Sequence, residues 1–342
     1  STHARIDVLV VLEGPSDDAT ALVFRDIADT VQDGLHHLGH PSTIVYCTNI
    51  AVDVCFVDGR KLIVLAAHNL ASFVNTDGRS AVLENKLLPP EAVLYNFEQV
   101  PRSWPRALLE ANVAQFEGRD RSLVSAGTLE IYASYTLWDY SEENVKRLLD
   151  MGIRAELVPL GFSSKLSRPS YRYAEEVRQK EKHEDIDVLF LGMDTPTRQA
   201  TIRRLRDAGI TVVHPNSAGI DFFGAEFDAI SAKSKIVLSL NAFEKTGDDC
   251  SSGSDVLCDQ GEWKMPRLAR LLANARFVVS EMSGSAVERA KLTGGLVFVE
   301  PERLAETCRY YLSRPELRFA IAERGRRLFE QQLEADILRQ PV

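Results

Sequence analysis

Two turns in the second half of the chain carry arginines where a helix is expected to begin. Gly192 follows an apolar run of strand length, and Arg198 lies six residues further on. Pro266 opens another helical stretch, with Arg267 in its first turn. Backbone N–H groups and the helix dipole attract anions at a helix N-terminus, and a guanidinium adds a planar fork of donors. We therefore expect these residues, together with Thr195, to bind a phosphate-bearing ligand.

Each arginine also has a structural interpretation. Arg198 fits a plain capped turn with a solvated side chain, and Arg267 fits a surface ion pair with Glu262. A cation near a helix N-terminus is unfavourable unless an anion is bound nearby. This conflict favours a functional role for Arg267 and leaves both interpretations open for Arg198.

An acid ends a strand-like run in the same half. Glu281 follows the strand-like run 277–280 and precedes Ser283. An acid at the carboxyl end of a parallel strand can hold a ribose diol, so Glu281 and Ser283 join the predicted nucleotide site. Glu281 is equally suited to cap the next helix, and Glu288 is a looser candidate for the ribose.

The first half has its own strand-end polar residues. His68 and Glu98 each follow an apolar strand, and Glu13 and Asp17 follow the first one. Such groups can act as a base beside an acceptor hydroxyl. A strand-end histidine also serves purely structural roles. The cluster 138–141 fits an aromatic packing corner with a helix cap as well as it fits a site.

The elements that would position these residues alternate between strands and helices. The predicted strands span 7–12, 42–47, 61–67, 92–97, 122–126, 136–138 and 154–159, then 186–191, 211–214, 235–241, 277–280 and 296–299. The predicted helices include 19–38, 141–151, 199–208, 224–233, 266–273, 286–293, 301–312 and 315–335. Continuous apolar strands joined by helices predict an α/β protein with parallel sheets covered on both faces.

The length of 342 residues suits two domains. The polar stretch 163–185 separates two such series. We predict a Rossmann-like domain over 1–162, a linker over 163–185 and a second Rossmann-like domain over 186–342. Ligands of open parallel sheets bind beyond the carboxyl ends of the strands.

Composition narrows the classes of partner. The net charge of −9 argues against a nucleic-acid backbone as partner. Five irregularly spaced cysteines indicate unpaired thiols in a reducing compartment and no zinc motif. With no signal peptide and no apolar run long enough to cross a membrane, we expect a cytoplasmic protein. The glycine-rich dinucleotide fingerprint, the P-loop and the nucleophile elbow are all missing.

Several segments resemble bacterial glycosyltransferase-like proteins of the GT-B fold, of the glycosyltransferase family 1 or CgeB-like type. In the first half they are 94–99, 138–144 and 158–162, and in the second 187–192, 235–241, 267–281 and 310–325. The resemblance implies two Rossmann-like domains that face each other across a cleft. It also implies a nucleotide-sugar donor held by the second domain and a glycan or small-molecule acceptor held by the first.

The resemblance extends to individual residues. It implies that Gly192, Arg198, Arg267 and Glu281 lie at the donor site, and that His68 and Glu98 face the acceptor. We expect His68, Glu98 and Arg267 to act in catalysis. No metal and no cofactor besides the donor are expected, because basic residues and helix amides offset the diphosphate charge.

One departure from the family concerns its paired glutamates. Many retaining members have seven residues between them, whereas Glu281 and Glu288 have six, so retention or inversion stays open. The loop 246–261 is either a lid over the donor or a surface insertion. A non-catalytic nucleotide or sugar binder and a nucleotide-sugar epimerase remain alternatives, and a DNA-modifying glycosyltransferase is disfavoured by the net charge.

Overall fold

The computed structural model describes residues 4–12, 19–48, 61–73, 80–98, 100, 126–167, 184–192, 194–215, 224–241, 265–283 and 285–339. Among these, residues 4–160 and 334–339 form one compact unit, and residues 161–333 form a second. The predicted second domain ran to the C-terminus. The structure instead assigns its last segment to the first unit.

The first unit contains a six-stranded parallel sheet of order β2-β1-β3-β4-β5-β6. Its strands are β1 (Ile6–Leu12), β2 (Ile44–Thr48), β3 (Lys61–Leu65), β4 (Val93–Asn96), β5 (Thr136–Asp139) and β6 (Glu156–Leu157). Its helices are α1 (Ala19–His37), α2 (Ala81–Glu84), α3 (Ala126–Ser134) and α4 (Glu142–Asp150), with a 3-10 helix over Ala67–Ser72. Every residue of β1 is buried, which explains its continuous apolar sequence.

The second unit contains a five-stranded parallel sheet of order β11-β10-β9-β7-β8. Its strands are β7 (Ile186–Phe190), β8 (Val212–Val213), β9 (Ser234–Ser239), β10 (Val278–Glu281) and β11 (Val297–Val299). The helices are α5 (Pro196–Asp207), α6 (Gly224–Ala232), α7 (Met265–Ala273), α8 (Ala286–Lys291), α9 (Leu304–Leu312) and α10 (Pro315–Glu330). Two parallel sheets with flanking helices confirm the predicted α/β class.

The last helix, α11 (Glu334–Leu338), packs on α1 in the first unit. A Cβ added to Gly34 would lie 2.8 Å from Cγ of Glu334, so this glycine permits a close approach of the two helices. The predicted single helix 315–335 is therefore wrong: it divides between residues 330 and 334. The break lies where the amide of Phe162 donates to the carbonyl of Gln332 at 2.7 Å.

Two further local predictions are corrected. The first turn of α5 begins at Pro196 rather than Gln199, because the ring of a proline at the first helical position presets the helical φ. The predicted strand 122–126 lies outside the described residues except Ala126, which begins α3. Residues Leu129, Ile131 and Tyr132 of α3 are buried on more than one side, so this helix has no amphipathic sequence pattern.

The linker 163–185 is described only at its two ends, and both pack into the second unit. Leu166 is buried in a 3-10 helix over Ser164–Leu166. Glu184 accepts a hydrogen bond from Nη2 of Arg318 at 2.9 Å, and both side chains are buried.

The cysteines differ from the expectation of unpaired thiols. Cys47 is disulfide-bonded, and its partner lies outside the described residues. Cys308 is a free thiol whose pKa burial raises to about 12. None of the described helices is long and apolar enough to cross a membrane.

Candidate functional site

The predicted nucleotide-site residues converge at one edge of the second sheet. Strands β7, β9 and β10 are neighbours, and each ends directly before one of these segments. The chain order of the strands reverses between β7 and β9, which is the point where open parallel sheets bind ligands. The sheet order thus brings together residues 190–198, 239–241 and 281–283.

Arg198 joins the ends of two strands. It lies in the first turn of α5, where its amide donates to Oγ1 of Thr195 at 3.3 Å. Its Nη2 donates to the carbonyl of Leu240, beyond β9, at 3.1 Å. Its guanidinium lies 5.3 Å from the ring centre of Phe190. Arg198 is therefore buried and fixed in place rather than solvated, and Thr195 is the N-cap of α5.

Arg267 extends from the first turn of α7 toward the turn after β7. Its Nη1 is buried and has no hydrogen-bond partner among the described residues. A Cβ added to Gly192 would lie 2.8 Å from this atom. His214, which ends the segment after β8, donates through Nε2 to the carbonyl of Gly192 at 3.1 Å and holds the turn. The absence of a side chain at Gly192 thus leaves room for the guanidinium of Arg267.

The two guanidiniums lie close enough to oppose each other's charge. Burial and, to a smaller extent, the cation of Arg267 lower the pKa of Arg198, Glu281 acts in the opposite sense, and the resulting pKa is about 9. Burial also lowers the pKa of Arg267. Among the described residues of this edge, two cations lie beside one carboxylate, so their summed charge is positive. Such a site favours an anion.

Glu281 and Ser283 occupy the edge beyond β10. Oε2 of Glu281 accepts the amide of Asn241 at 2.6 Å, so this carboxylate ties the ends of β10 and β9. The Oγ of Ser283 is buried and lacks a partner in the described part of the chain. Glu288 instead forms a capping box with Ser285 at the start of α8, so its carboxylate already accepts a hydrogen bond there.

In the first unit, His68 and Glu98 follow the neighbouring strands β3 and β4. Burial lowers the pKa of His68 to about 4, and its ring packs on Phe24 at 5.9 Å between ring centres. His68 is therefore neutral at pH 7. Burial raises the pKa of Glu98 to about 7, so its carboxyl can gain or lose a proton near neutral pH.

The cluster 138–141 forms the packing corner that was one of its two interpretations. Trp138 packs edge-on against Tyr95 at 5.6 Å between ring centres, and Tyr140 stacks on Phe97 at 5.3 Å. Asp139 is fully buried and accepts the amide of Ser141 at 2.9 Å.

Sequence reasoning missed two contributors. His214 ends a predicted strand, and this position was its only signal. Asn144 is the third residue of α4 and was not expected at a site, whereas its side chain is buried against Asp139. Glu13, Asp17, Glu262 and the loop 246–261 lie outside the described residues. Within the described ranges, no cluster of three His, Cys, Asp or Glu side chains could hold a metal ion.

No protein-family model and no curated protein matches this sequence. Solved structures do match. A glycosyltransferase from Rickettsia africae is 13% identical, with a TM-score of 0.56 over 99% of this chain and 97% of that chain. HepE from Anabaena in complex with UDP is 13% identical, with a TM-score of 0.55 over 98% of each chain.

Sucrose-phosphate synthase from Thermosynechococcus elongatus is 10% identical, with a TM-score of 0.56 over 98% of each chain. This chain has the GT-B fold. At these identities the likeness shows the fold alone, and the narrower CgeB-like family stays a prediction.

Proposed function

We propose that this protein is a glycosyltransferase that moves a sugar from a nucleotide-sugar donor to a hydroxyl acceptor. The observation that carries the proposal is the pairing of Arg198 with Arg267 beside Gly192. One of these buried guanidiniums keeps a donor atom, Nη1 of Arg267, without a partner among the described residues. A diphosphate supplies both the missing acceptor and the missing negative charge.

The chemistry assigned to this site is stabilisation of the leaving group. As the bond between the anomeric carbon and the phosphate oxygen breaks, negative charge grows on the diphosphate. Arg198 is held by the carbonyl of Leu240 before the reaction, so it stabilises this charge without reorganisation, and Arg267 is assigned the second cation beside it. We propose that they make a catalytic metal unnecessary. Glu281 and Ser283 are assigned to the nucleoside, with Glu281 toward the ribose.

The acceptor is assigned to the first unit. Its hydroxyl oxygen attacks the anomeric carbon, and its proton passes to the carboxylate of Glu98, whose pKa lies near 7. Neutral His68 is assigned a hydrogen bond to the acceptor. Glycans and small hydroxylated molecules are the acceptor classes that we propose.

Nucleoside diphosphate binding is the first test. HepE was solved with UDP, which makes UDP the first ligand to try, followed by GDP, ADP and TDP. We expect at least one of them to raise the melting temperature of the wild-type protein and not that of Arg267→Ala. If none of them stabilises the wild-type protein, the proposal is wrong.

Donor turnover is the second test. A screen of nucleotide sugars should show slow hydrolysis by the wild-type protein and faster transfer once the right acceptor is present. Glu98→Ala should bind the donor normally and lose transfer. Binding without turnover would instead mark a non-catalytic binder. An epimerised donor without any acceptor would mark an epimerase.

A further inference from the structure

The backbone of Glu98 is held by side chains from two other elements. The amide of Asn96 bonds both backbone groups of Glu98: its Nδ2 donates to the carbonyl at 2.8 Å, and its Oδ1 accepts the N–H at 3.0 Å. Asn144, on α4, donates through Nδ2 to the same carbonyl at 3.0 Å. Two asparagines separated by 47 residues in the chain thus meet on one peptide group.

Asp139 fixes the orientation of both asparagines. Its Oδ2 accepts Nδ2 of Asn96 at 2.7 Å, and its Oδ1 accepts Nδ2 of Asn144 at 3.1 Å. A carboxylate can only accept, so each amide must turn its NH2 group toward Asp139. Tyr132 donates to Oδ1 of Asn96 at 2.9 Å and fixes the other end of that amide. All four side chains are buried.

The carboxyl group of Glu98 stands in contrast to its backbone. No hydrogen bond or ion pair to this carboxyl exists among the described residues, and the exposure of Glu98 is intermediate. A buried polar group costs folding free energy unless it forms hydrogen bonds, and a network in which every member is hydrogen-bonded is rigid. Here the network is bonded to the backbone of Glu98 and does not engage its carboxyl group.

We propose that Asn96 and Asn144, held by Asp139 and Tyr132, form an amide clamp that positions the carboxylate of Glu98 toward the acceptor hydroxyl. Asn96 and Asn144 are positioning residues, because they act through Glu98 and touch no substrate. This inference rests on the proposed function. It adds the residues that determine where the acceptor-side acid lies.

The first test separates positioning from stability. Asn144→Ala removes one arm of the clamp. Its matched control is Asn274→Ala in the second unit, where a buried asparagine donates to the carbonyls of Leu166 and Arg270, both at 2.8 Å. Both variants lose buried hydrogen bonds. Only Asn144→Ala is expected to lower kcat for transfer, by roughly ten- to a hundredfold, with the KM for the donor unchanged.

A second variant keeps the proposal testable if Asn144→Ala folds poorly. Tyr132→Phe removes one hydroxyl and keeps the ring, so we expect a smaller loss of kcat in the same direction. The pH profile of kcat should shift in both clamp variants and not in Asn274→Ala. Tyr132 on α3 and Asp139 on β5 are titratable groups near Glu98 that can influence this pH profile. Arg147 on α4 is a charged group in the same region, and it donates to the carbonyl of Val100.

The last readout does not depend on activity. Carbon-13 NMR of labelled glutamate, with Glu98→Gln to assign the signal, follows the titration of Glu98. Its midpoint, expected near pH 7, should move in Asn144→Ala and Tyr132→Phe and stay in place in Asn274→Ala. Unchanged titration and unchanged kcat in both clamp variants would overturn the clamp. If none of UDP, GDP, ADP and TDP binds the wild-type protein, the proposed function is wrong, and the titration of Glu98 still tests the hydrogen bonds of the clamp.

Discussion

The guanidinium of Arg267 occupies the space that a side chain on residue 192 would need. A Cβ there would lie 2.8 Å from Nη1 and 3.3 Å from Nη2 of Arg267. The glycine at the end of β7 and the arginine at the start of α7 are thus one structural feature. Their contact places Nη1 of Arg267, which has no partner in the described part of the chain, where the strand order reverses.

Replacing Gly192 with alanine should displace Arg267. We expect UDP affinity to fall about tenfold, which corresponds to ~1.4 kcal/mol of binding free energy. Gly209→Ala is the matched control: Gly209 has a φ of +79° and no atom within 4 Å of an added Cβ. That variant should lose about 1–2 kcal/mol of folding stability and bind UDP normally. Calorimetric titration with UDP distinguishes the two, and equal affinities would contradict the steric argument.

Replacing Arg267 with methionine should stabilise the protein without ligand. The substitution removes a buried charge that has no partner in the described structure, so the melting temperature should rise while stabilisation by UDP disappears. Arg270→Met, on the same helix, is the control. Arg270 donates to both carboxylate oxygens of Asp228, at 2.8 and 2.7 Å, so its loss should cost about 3 kcal/mol and leave UDP binding intact. A destabilised Arg267→Met protein would show that this arginine is structural.

Glu98→Gln should change how stability depends on pH. The folded-state pKa of Glu98, about 7, lies above its ordinary value of 4.5, so the wild-type protein loses stability as pH rises through this interval. Glutamine does not ionise, so we expect this variant to be more stable by about 1–3 kcal/mol at pH 8 and similar at pH 4. Urea unfolding at both values measures this. Glu130→Gln on the exposed surface of α3 should behave like the wild type.

His68 should make the protein sensitive to acid. Its folded-state pKa, about 4, lies below its ordinary value of 6.5, so its contribution to stability is lost as pH falls through this interval. Between pH 7 and pH 5 the loss should be about 1–2 kcal/mol, and His68→Asn should remove it. Unfolding curves at pH 7, 6 and 5 test this. His37→Asn on the exposed end of α1 provides the comparison, and parallel curves for wild type and His68→Asn would contradict the assignment.

Local sequence was sufficient for the class of fold. Strands such as β1 have continuous apolar sequences because both of their faces are buried. This pattern predicts a strand without any information about which strands lie beside it in the sheet. The apolar pattern did not predict α3, because this helix is buried on several sides and its sequence therefore has no helical alternation of apolar and polar residues. It also failed at the end of α10, where a contact with Phe162 accompanies the break in the helix.

The sequence by itself determined which residues follow strands and begin helices, and so it identified Gly192, Arg198, Arg267 and Glu281 as a set. Only the tertiary structure decided which of them touch. It placed β7 beside β9, brought Arg267 to Gly192 and placed the side chain of Asn144 on the carbonyl of Glu98. The physical reason is that periodicity reports burial along one element. Contacts between elements depend on the order of strands in the sheet, and the apolar pattern of each strand is the same in any order.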